Sequence, residues 1–265
     1  MYRSRFDTLY QLDRAIAQED LNKVDRLLDH GFDVDDLPWN WISESNNVFV
    51  FLMLQAHGYP IDHAAVNKDS ALLHSIARND VAMVSFLLDH GVNPNEDWNK
   101  NAFVSAVNRI GDTQKCLSMF RVLFEHGVMP VNQDSSGDTS LMCCSVREDC
   151  TPLINALLDH DAEIDFWGPE GNTALHRAVE RENVTACSAL LARRANPNIV
   201  NYRMETPLLL AVMAKNHAII DVLLQAGANP SIRTNDGETT LQYAKKQEPQ
   251  DYWIIRKLKK YGAME

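Results

Sequence analysis

Residues 172–198 read NTALHRAVERENVTACSALLARRANPN. Three punctuation marks fall inside this stretch. Thr173 stands before a first apolar segment, Asn183 before a second, and Leu190-Leu191 closes the second just ahead of a short polar tail. Thr and Asn suit a helix N-cap, because their side-chain oxygens accept from backbone N–H groups that the first turn leaves unpaired. Behind Asn183, the residues Val184, Cys187, Leu190 and Leu191 recur at helical spacing. The stretch therefore reads as a pair of short helices, a unit that needs neighbours to cover its apolar faces.

The neighbours are present in the same chain. The doublet and tail recur as LLDHGFDVD from Leu27, LLDHGVNPN from Leu87, LFEHGVMPV from Leu123, LLDHDAEID from Leu157, LLQAGANPS from Leu223 and KLKKYGAME from Lys257. From Leu88 through Phe124, Leu158, Leu191, Leu224 and Leu258 the spacings are 36, 34, 33, 33 and 34. Ahead of each doublet comes a four-residue motif: SALL at Ser70, NAFV at Asn101, TSLM at Thr139, TALH at Thr173, TPLL at Thr206 and TTLQ at Thr239. Two residues beyond each motif sits a small side chain, namely Ser75, Ala106, Cys144, Ala178, Ala211 or Ala244, which lets helices approach closely. Pro207 is tolerated at the first helical position. Asp20, Asp80, Asn183 and Asn216 are the expected caps of the second helices. Gly31, Gly91, Gly127, Gly227 and Gly262 are placed to end them in a left-handed C-cap.

A period near 33 with T-x-L-H-x-A resembles the ankyrin repeat family, across nearly the whole chain. The resemblance implies an all-α solenoid of about eight helix-turn-helix repeats with hairpin-like loops along one edge. On this reading 1–265 is a single ankyrin-repeat domain. Residues 1–36 form the N-terminal cap repeat, 37–66 a degenerate repeat, 67–233 the central repeats and 234–265 the C-terminal cap repeat. The second repeat contains DDLPWNWISES, where Trp39 and Trp41 are read as plugs of an irregular core. The fourth carries about five extra residues near Arg109–Gln114, and the fifth has one extra residue and Asp161 where glycine is expected.

Composition narrows the function classes. Thirty-six acidic residues against 25 Lys and Arg give a net charge of −11, which argues against nucleic acid as a partner. The 45% hydrophobic content supplies a sizeable core without any apolar run long enough to span a bilayer, the richest being Val48–Leu54. The N-terminus lacks the apolar segment of a signal peptide, and the five cysteines include no CxxC pair. A cytoplasmic protein without cofactor or membrane attachment is expected, its oligomeric state open.

Catalytic and metal readings find little support in the sequence. His176 in TALH could be a general base or a structural fastener. A base needs a partner and a pocket, and most repeats replace it, by Leu73, Val104, Met142, Leu209 and Gln242. His30, His57, His90, His126 and His160 recur before the helix-ending position, where the helix dipole favours a cation. Repeats about 10 Å apart cannot easily bring two of them to one ion. No nucleotide-binding glycine loop, HExxH or GxSxG occurs. An enzyme built on the irregular 109–150 region is the contrasting class, and it would require a pocket with converging titratable groups.

Binding residues are easier to nominate. Arg78, Arg109, Arg147 and Arg181 each follow their four-residue motif by five positions, so successive repeats place arginine in one column. Such a column could grip carboxylates bidentately. Trp98, Trp167 and Tyr202, with Arg203 beside the last, fall in the loop tips and belong to the residue types that anchor protein interfaces. The resemblance implies ligands at the loop tips and the first helix of each pair, on the concave face. The expected function is a non-catalytic protein-binding module, possible in three forms: an inhibitor or immunity protein neutralising a toxin, a bacterial effector docking on a host protein, or an adaptor.

Overall fold

The structure is a computed structural model describing residues 2–31, 47–59, 71–92, 94, 101–130, 133–247 and 249–263. These residues pack as two compact units, Met1–Val128 and Met129–Glu265. The first contains α1 (Tyr2–Ala17), α2 (Leu21–Leu28), α3 (Val48–Ala56), α4 (Ala71–Ala77), α5 (Val81–Asp89), α6 (Ala102–Arg109) and α7 (Thr113–Glu125). The second contains α8 (Ser140–Ser145), α9 (Thr151–Leu158), α10 (Ala174–Glu180), α11 (Val184–Ala192), α12 (Pro207–Met213), α13 (His217–Gln225), α14 (Thr240–Lys246) and α15 (Tyr252–Lys260). Among the described residues there are no strands, only two isolated antiparallel bridges, Gln133–Thr139 and Arg233–Thr239.

Within each unit the helices pair and the pairs stack. In the second, α8, α10, α12 and α14 adjoin in sequence, and so do α9, α11, α13 and α15. In the first, α4 meets α6, α5 meets α7 and α2 meets α3. This is the ankyrin-type arrangement expected from the period, all-helical and built of repeated pairs. The degenerate repeat enters only through α3, because 32–46 and 60–70, including Trp39 and Trp41, lie outside the described residues.

The caps are where the sequence places them. Asn101, Thr139, Thr173, Thr206 and Thr239 accept from first-turn N–H groups of the first helices. Asp20, Asp80, Asn183 and Asn216 do so for the second helices. The six small residues are buried, so helix backbones lie close at those levels. In the fourth repeat the extra residues end in a cap as well: Asp112 accepts from the Lys115 N–H, and α7 runs for 13 residues where α5 has 9. The insertion thus lengthens a helix. Asp161 (φ 63) and Arg194 (φ 69) adopt the left-handed conformation that Gly227 (φ 89) adopts at the equivalent position. Among the described residues no helix is long and apolar enough to cross a membrane.

The helix-ending histidines share one local geometry. The Nδ1 atoms of His30, His90, His126 and His160 lie 3.1, 2.8, 2.8 and 2.9 Å from the carbonyl four residues back. Each ring thereby bonds a carbonyl of its helix's last turn, which at His90 and His126 also accepts the residue's own backbone N–H. Among the described residues no group of three or more His, Cys, Asp or Glu could hold a metal ion.

Candidate protein-binding surface

Five of the eight proposed site residues, Arg147, Trp167, Arg181, Tyr202 and Arg203, lie in the second unit, and polar fasteners fix its loops. His176 is the first. Its Nδ1 accepts from the Thr173 backbone N–H at 3.2 Å, and its Nε2–H donates to the Glu205 carbonyl at 3.2 Å. That network assigns the neutral Nε2–H tautomer. The ring is fully buried, and burial pushes its pKa down to about 4 against the weaker opposing effect of the Glu205 carbonyl. A ring with both nitrogens engaged and no solvent access has neither the site nor the free lone pair of a general base. His176 ties one repeat to the loop leading into the next.

Asparagines continue the lacing. Asn201 Nδ2 lies 3.1 Å from Asn172 Oδ1 and 3.0 Å from Glu205 Oε2, while Asn172 Nδ2 donates to Glu180 at 3.0 Å. Asn183 caps α11 and also donates to the carbonyls of Ser145 and Arg147 in the preceding repeat. Asn229 N–H donates to Asn198 Oδ1 at 2.7 Å, repeating the device one loop further on. These bonds hold successive loops in register, so side chains at the loop tips have fixed mounts.

On those mounts stand Trp167, 59% exposed, and Tyr202, 71% exposed. Phe166, beside Trp167, is half-buried. The two loops are joined: the Tyr202 N–H donates to the Glu170 carbonyl at 2.9 Å, and Arg203 pairs with Glu170 at 3.0 Å. Tyr202 also lies against Gly171, where an added Cβ would come within 2.6 Å of its ring. Trp98 lies outside the described residues.

The four arginines share an offset in sequence but not one structural setting. Arg78 directly follows α4, Arg109 is the last residue of α6, Arg147 falls two residues beyond α8, and Arg181 caps α10. The cause is helix length, since α8 has 6 residues and α6 has 8. Arg78, Arg109 and Arg181 are exposed, and Arg147 is half-buried. Arg78 and Arg109 belong to the first unit, Arg147 and Arg181 to the second.

Sequence reasoning missed the rest of the first-helix face. Counting from each Thr of the motif, the fourth and seventh following residues emerge together, as helical spacing requires. They are Cys143 and Val146, Arg177 and Glu180, Leu210 and Met213, and Tyr243 and Lys246. Val146 is 40% and Met213 46% exposed, so apolar patches flank a charged one on α10. Arg177 is not available to a partner as a bare cation. It pairs with Asp138 at 2.9 Å and with Glu180 at 3.6 Å; burial works against its charge, yet the two carboxylates hold its pKa above the ordinary value. The motif spacing contains the signal that could have found this stripe.

The cysteines near the 109–150 region form no disulfide. Cys116, Cys144 and Cys150 are buried. Burial raises the Cys150 pKa, and it pushes Cys187 up to about 12. Such thiols stay neutral and are poor nucleophiles.

Comparison with known proteins agrees with this geometry. A family model described as Ankyrin repeats (3 copies) matches residues 113–201, and one described as Ankyrin repeat matches 204–235. An intracellular phospholipase A2 of Caenorhabditis elegans is 30% identical over 103 residues, covering 36% of this chain and 10% of that protein. The chain spans between 5% and 43% of the length of the curated relatives it matches. The solved ankyrin repeat domain from Acinetobacter baumannii AYE superposes with a TM-score of 0.64 at 26% identity, covering 73% of this chain and 98% of that one. The human ASB11 ankyrin repeat domain is alike in fold, with a TM-score of 0.65 at 21% identity over 86% of this chain and 99% of that one. Ankyrin repeats are generally protein–protein interaction modules. With paired, capped helices recurring at the same period, the chain carries ankyrin repeats, matched over residues 113–201 and 204–235.

Proposed function

We propose that the chain is a non-catalytic binder of another protein. Its main surface is the loop tips and first-helix ends of the 129–265 unit, with Trp167, Tyr202, Arg203, Arg147 and Arg181 as contact residues. Arg78 and Arg109 extend the reading to the first unit, as does Trp98. The observation that carries it is the pair of large aromatic side chains left mostly in solvent, Trp167 and Tyr202, on loops that hydrogen bonds otherwise hold tightly. Rigid mounts keep the entropic cost of binding low, and Trp, Tyr and Arg are the residue types that dominate interface energetics. The arginines suit a partner presenting carboxylates near apolar side chains.

The test is affinity capture from the native cell extract, with the wild type beside a Trp167→Ala, Arg181→Glu double variant of matched thermal stability. A stoichiometric protein captured by the wild type and bound at least about 30-fold more weakly by the variant supports the reading. Equal affinity for both proteins rejects this surface. Assaying the captured partner's own activity in the complex separates the first of the three forms from the other two: silencing supports an inhibitor, unaltered activity an adaptor or effector.

A further inference from the structure

At three places the residue that closes a second helix reaches back to a carboxylate of the preceding repeat, and at two of them, both in the first unit, it is histidine. His57, closing α3, places Nε2 2.9 Å from Asp25 Oδ1 of α2 and Nδ1 3.7 Å from Asp29 Oδ1. His126, closing α7, places Nε2 3.0 Å from Asp89 Oδ1 of α5. In the second unit the equivalent residue after α11 is Arg193, whose guanidinium lies 2.8 Å from Asp159 at the close of α9. Lys257 on α15 likewise reaches Asp221 on α13 at 2.6 Å.

A neutral imidazole carries one N–H. At His126 both ring nitrogens face acceptors, the Val122 carbonyl 2.8 Å from Nδ1 and the Asp89 carboxylate at Nε2. Only the imidazolium donates to both. We propose that His126 is a proton-operated brace between α5 and α7, tight when the ring is charged and slack when it is neutral, at the position where the repeat of α10 and α11 has Arg193, which does not titrate. His57, with carboxylates at both ring nitrogens, repeats the arrangement between α2 and α3.

The surrounding charges are consistent with this. Asp89 and its neighbour His90 come from the α5 side, Glu125 and Arg121 from α7 itself. The one charged residue of α6 is Arg109, beside the start of α7 and so a helix length, about 20 Å, from His126. The hydrogen bond to the Val122 carbonyl is the strongest influence; burial opposes it, while Asp89 and Glu125 add to it, and the net effect raises the pKa. A raised folded value means the brace is complete below the unfolded histidine value of about 6.5 and fades as pH rises through the folded value.

The test is an NMR titration of the His126 ring in the full chain, wild type against Asp89→Asn. Asp89 is 63% exposed on its side chain, so the substitution leaves the helix core untouched. The wild-type midpoint is expected above that of free histidine and the variant's lower; equal midpoints overturn the proposal. Amide exchange gives an independent reading. Corrected for intrinsic rates, the last turns of α5 and α7 should open about 2- to 5-fold more readily at pH 8 than at pH 6, the range of an exposed ion pair. His126→Arg, which copies Arg193, should keep the protection and remove its pH dependence. PH dependence that persists in that variant overturns the brace.

Discussion

The two units keep their helix pairs together by different means. Among the described residues, the fully buried phenylalanines, Phe51, Phe103 and Phe120, all fall in the first unit. Phe103 sits with Phe120 and Phe124 in one cluster, ring centroids 5.0 and 4.8 Å away. The second unit packs aliphatic side chains without a buried phenylalanine, and among the described residues it buries more polar ones: Thr139, Ser140, Ser145, Asn172, Thr173, His176, Asn201, Thr206, Thr239 and Thr240, against Ser75 and Asn101 in the first. Where the motif is regular, directional hydrogen bonds set the register from one repeat to the next. Where it has diverged, hydrophobic volume takes over, since apolar contact tolerates irregular spacing and a hydrogen bond does not.

The strongest way to break this comparison is to remove volume from the first unit. Phe120→Ala deletes a ring at the centre of the aromatic cluster and should cost about 3–5 kcal/mol by denaturant titration. The loss should appear in exchange of α6 and α7 and leave α10–α13 protected. A uniform loss across both units would mean that they unfold as one and share their stability.

Acid should act on the second unit in the opposite direction to the brace of the first. His176 folds with its pKa near 4, against about 6.5 unfolded. A depressed folded value means the contribution is whole above pH 6.5 and is lost as pH falls toward 4. The gap corresponds to about 3 kcal/mol at most. Chemical denaturation at pH 7 and pH 4.5 should therefore show the second unit weakening. His176→Leu, the residue other repeats use, should start lower by about 1–3 kcal/mol, because the Glu205 carbonyl loses its donor. It should also lose much of that pH slope; a variant that keeps the full slope would exonerate His176.

The sequence stated the helix pairs, their caps and their small-residue contacts, because each is local chemistry: a Thr at one offset, an Asn ten residues later, a glycine or its substitute after the doublet. It also stated that His176 is a fastener, since repeats lacking it still carry the motif. Its partner was illegible. Glu205 lies 29 residues away, and only stacking at a definite rise brings its carbonyl to Nε2. The arginine column shows the same limit. Equal offsets in sequence became unequal positions once α8 ended after 6 residues. Exposure of Trp167 and Tyr202 was proposed from residue type and loop position, but the bond that joins their loops, from the Tyr202 N–H to the Glu170 carbonyl, has no sequence signature because any residue supplies those atoms.

Gly171 tests how tightly that junction is built. Its φ is +76, and an added Cβ would stand 2.6 Å from the Tyr202 ring and 2.9 Å from the Tyr202 backbone nitrogen. The ring can turn into solvent, but the nitrogen cannot move without its bond to Glu170. Gly171→Ala should therefore cost about 1–3 kcal/mol. It should also speed exchange at the Tyr202 amide. An amide that stays protected would show that the loops are held elsewhere, with the asparagine lacing of Asn172 and Asn201 the first place to look.

The smallest effect on stability separates holding from binding. Arg203 and Glu170 are 66% and 61% exposed on their side chains, and solvent screens such a pair until it contributes about 0–1 kcal/mol. Arg203→Ala should shift the melting temperature by no more than a few degrees. The same change removes a cation standing beside the exposed Tyr202 and, on the proposed reading, should weaken partner binding several-fold. A variant that melts earlier but binds fully would make Arg203 part of the scaffold. A variant that melts normally but binds poorly would show that the second unit spends its buried polar groups on register and keeps its exposed ones for the partner, a division of labour the aromatic core of the first unit does not need.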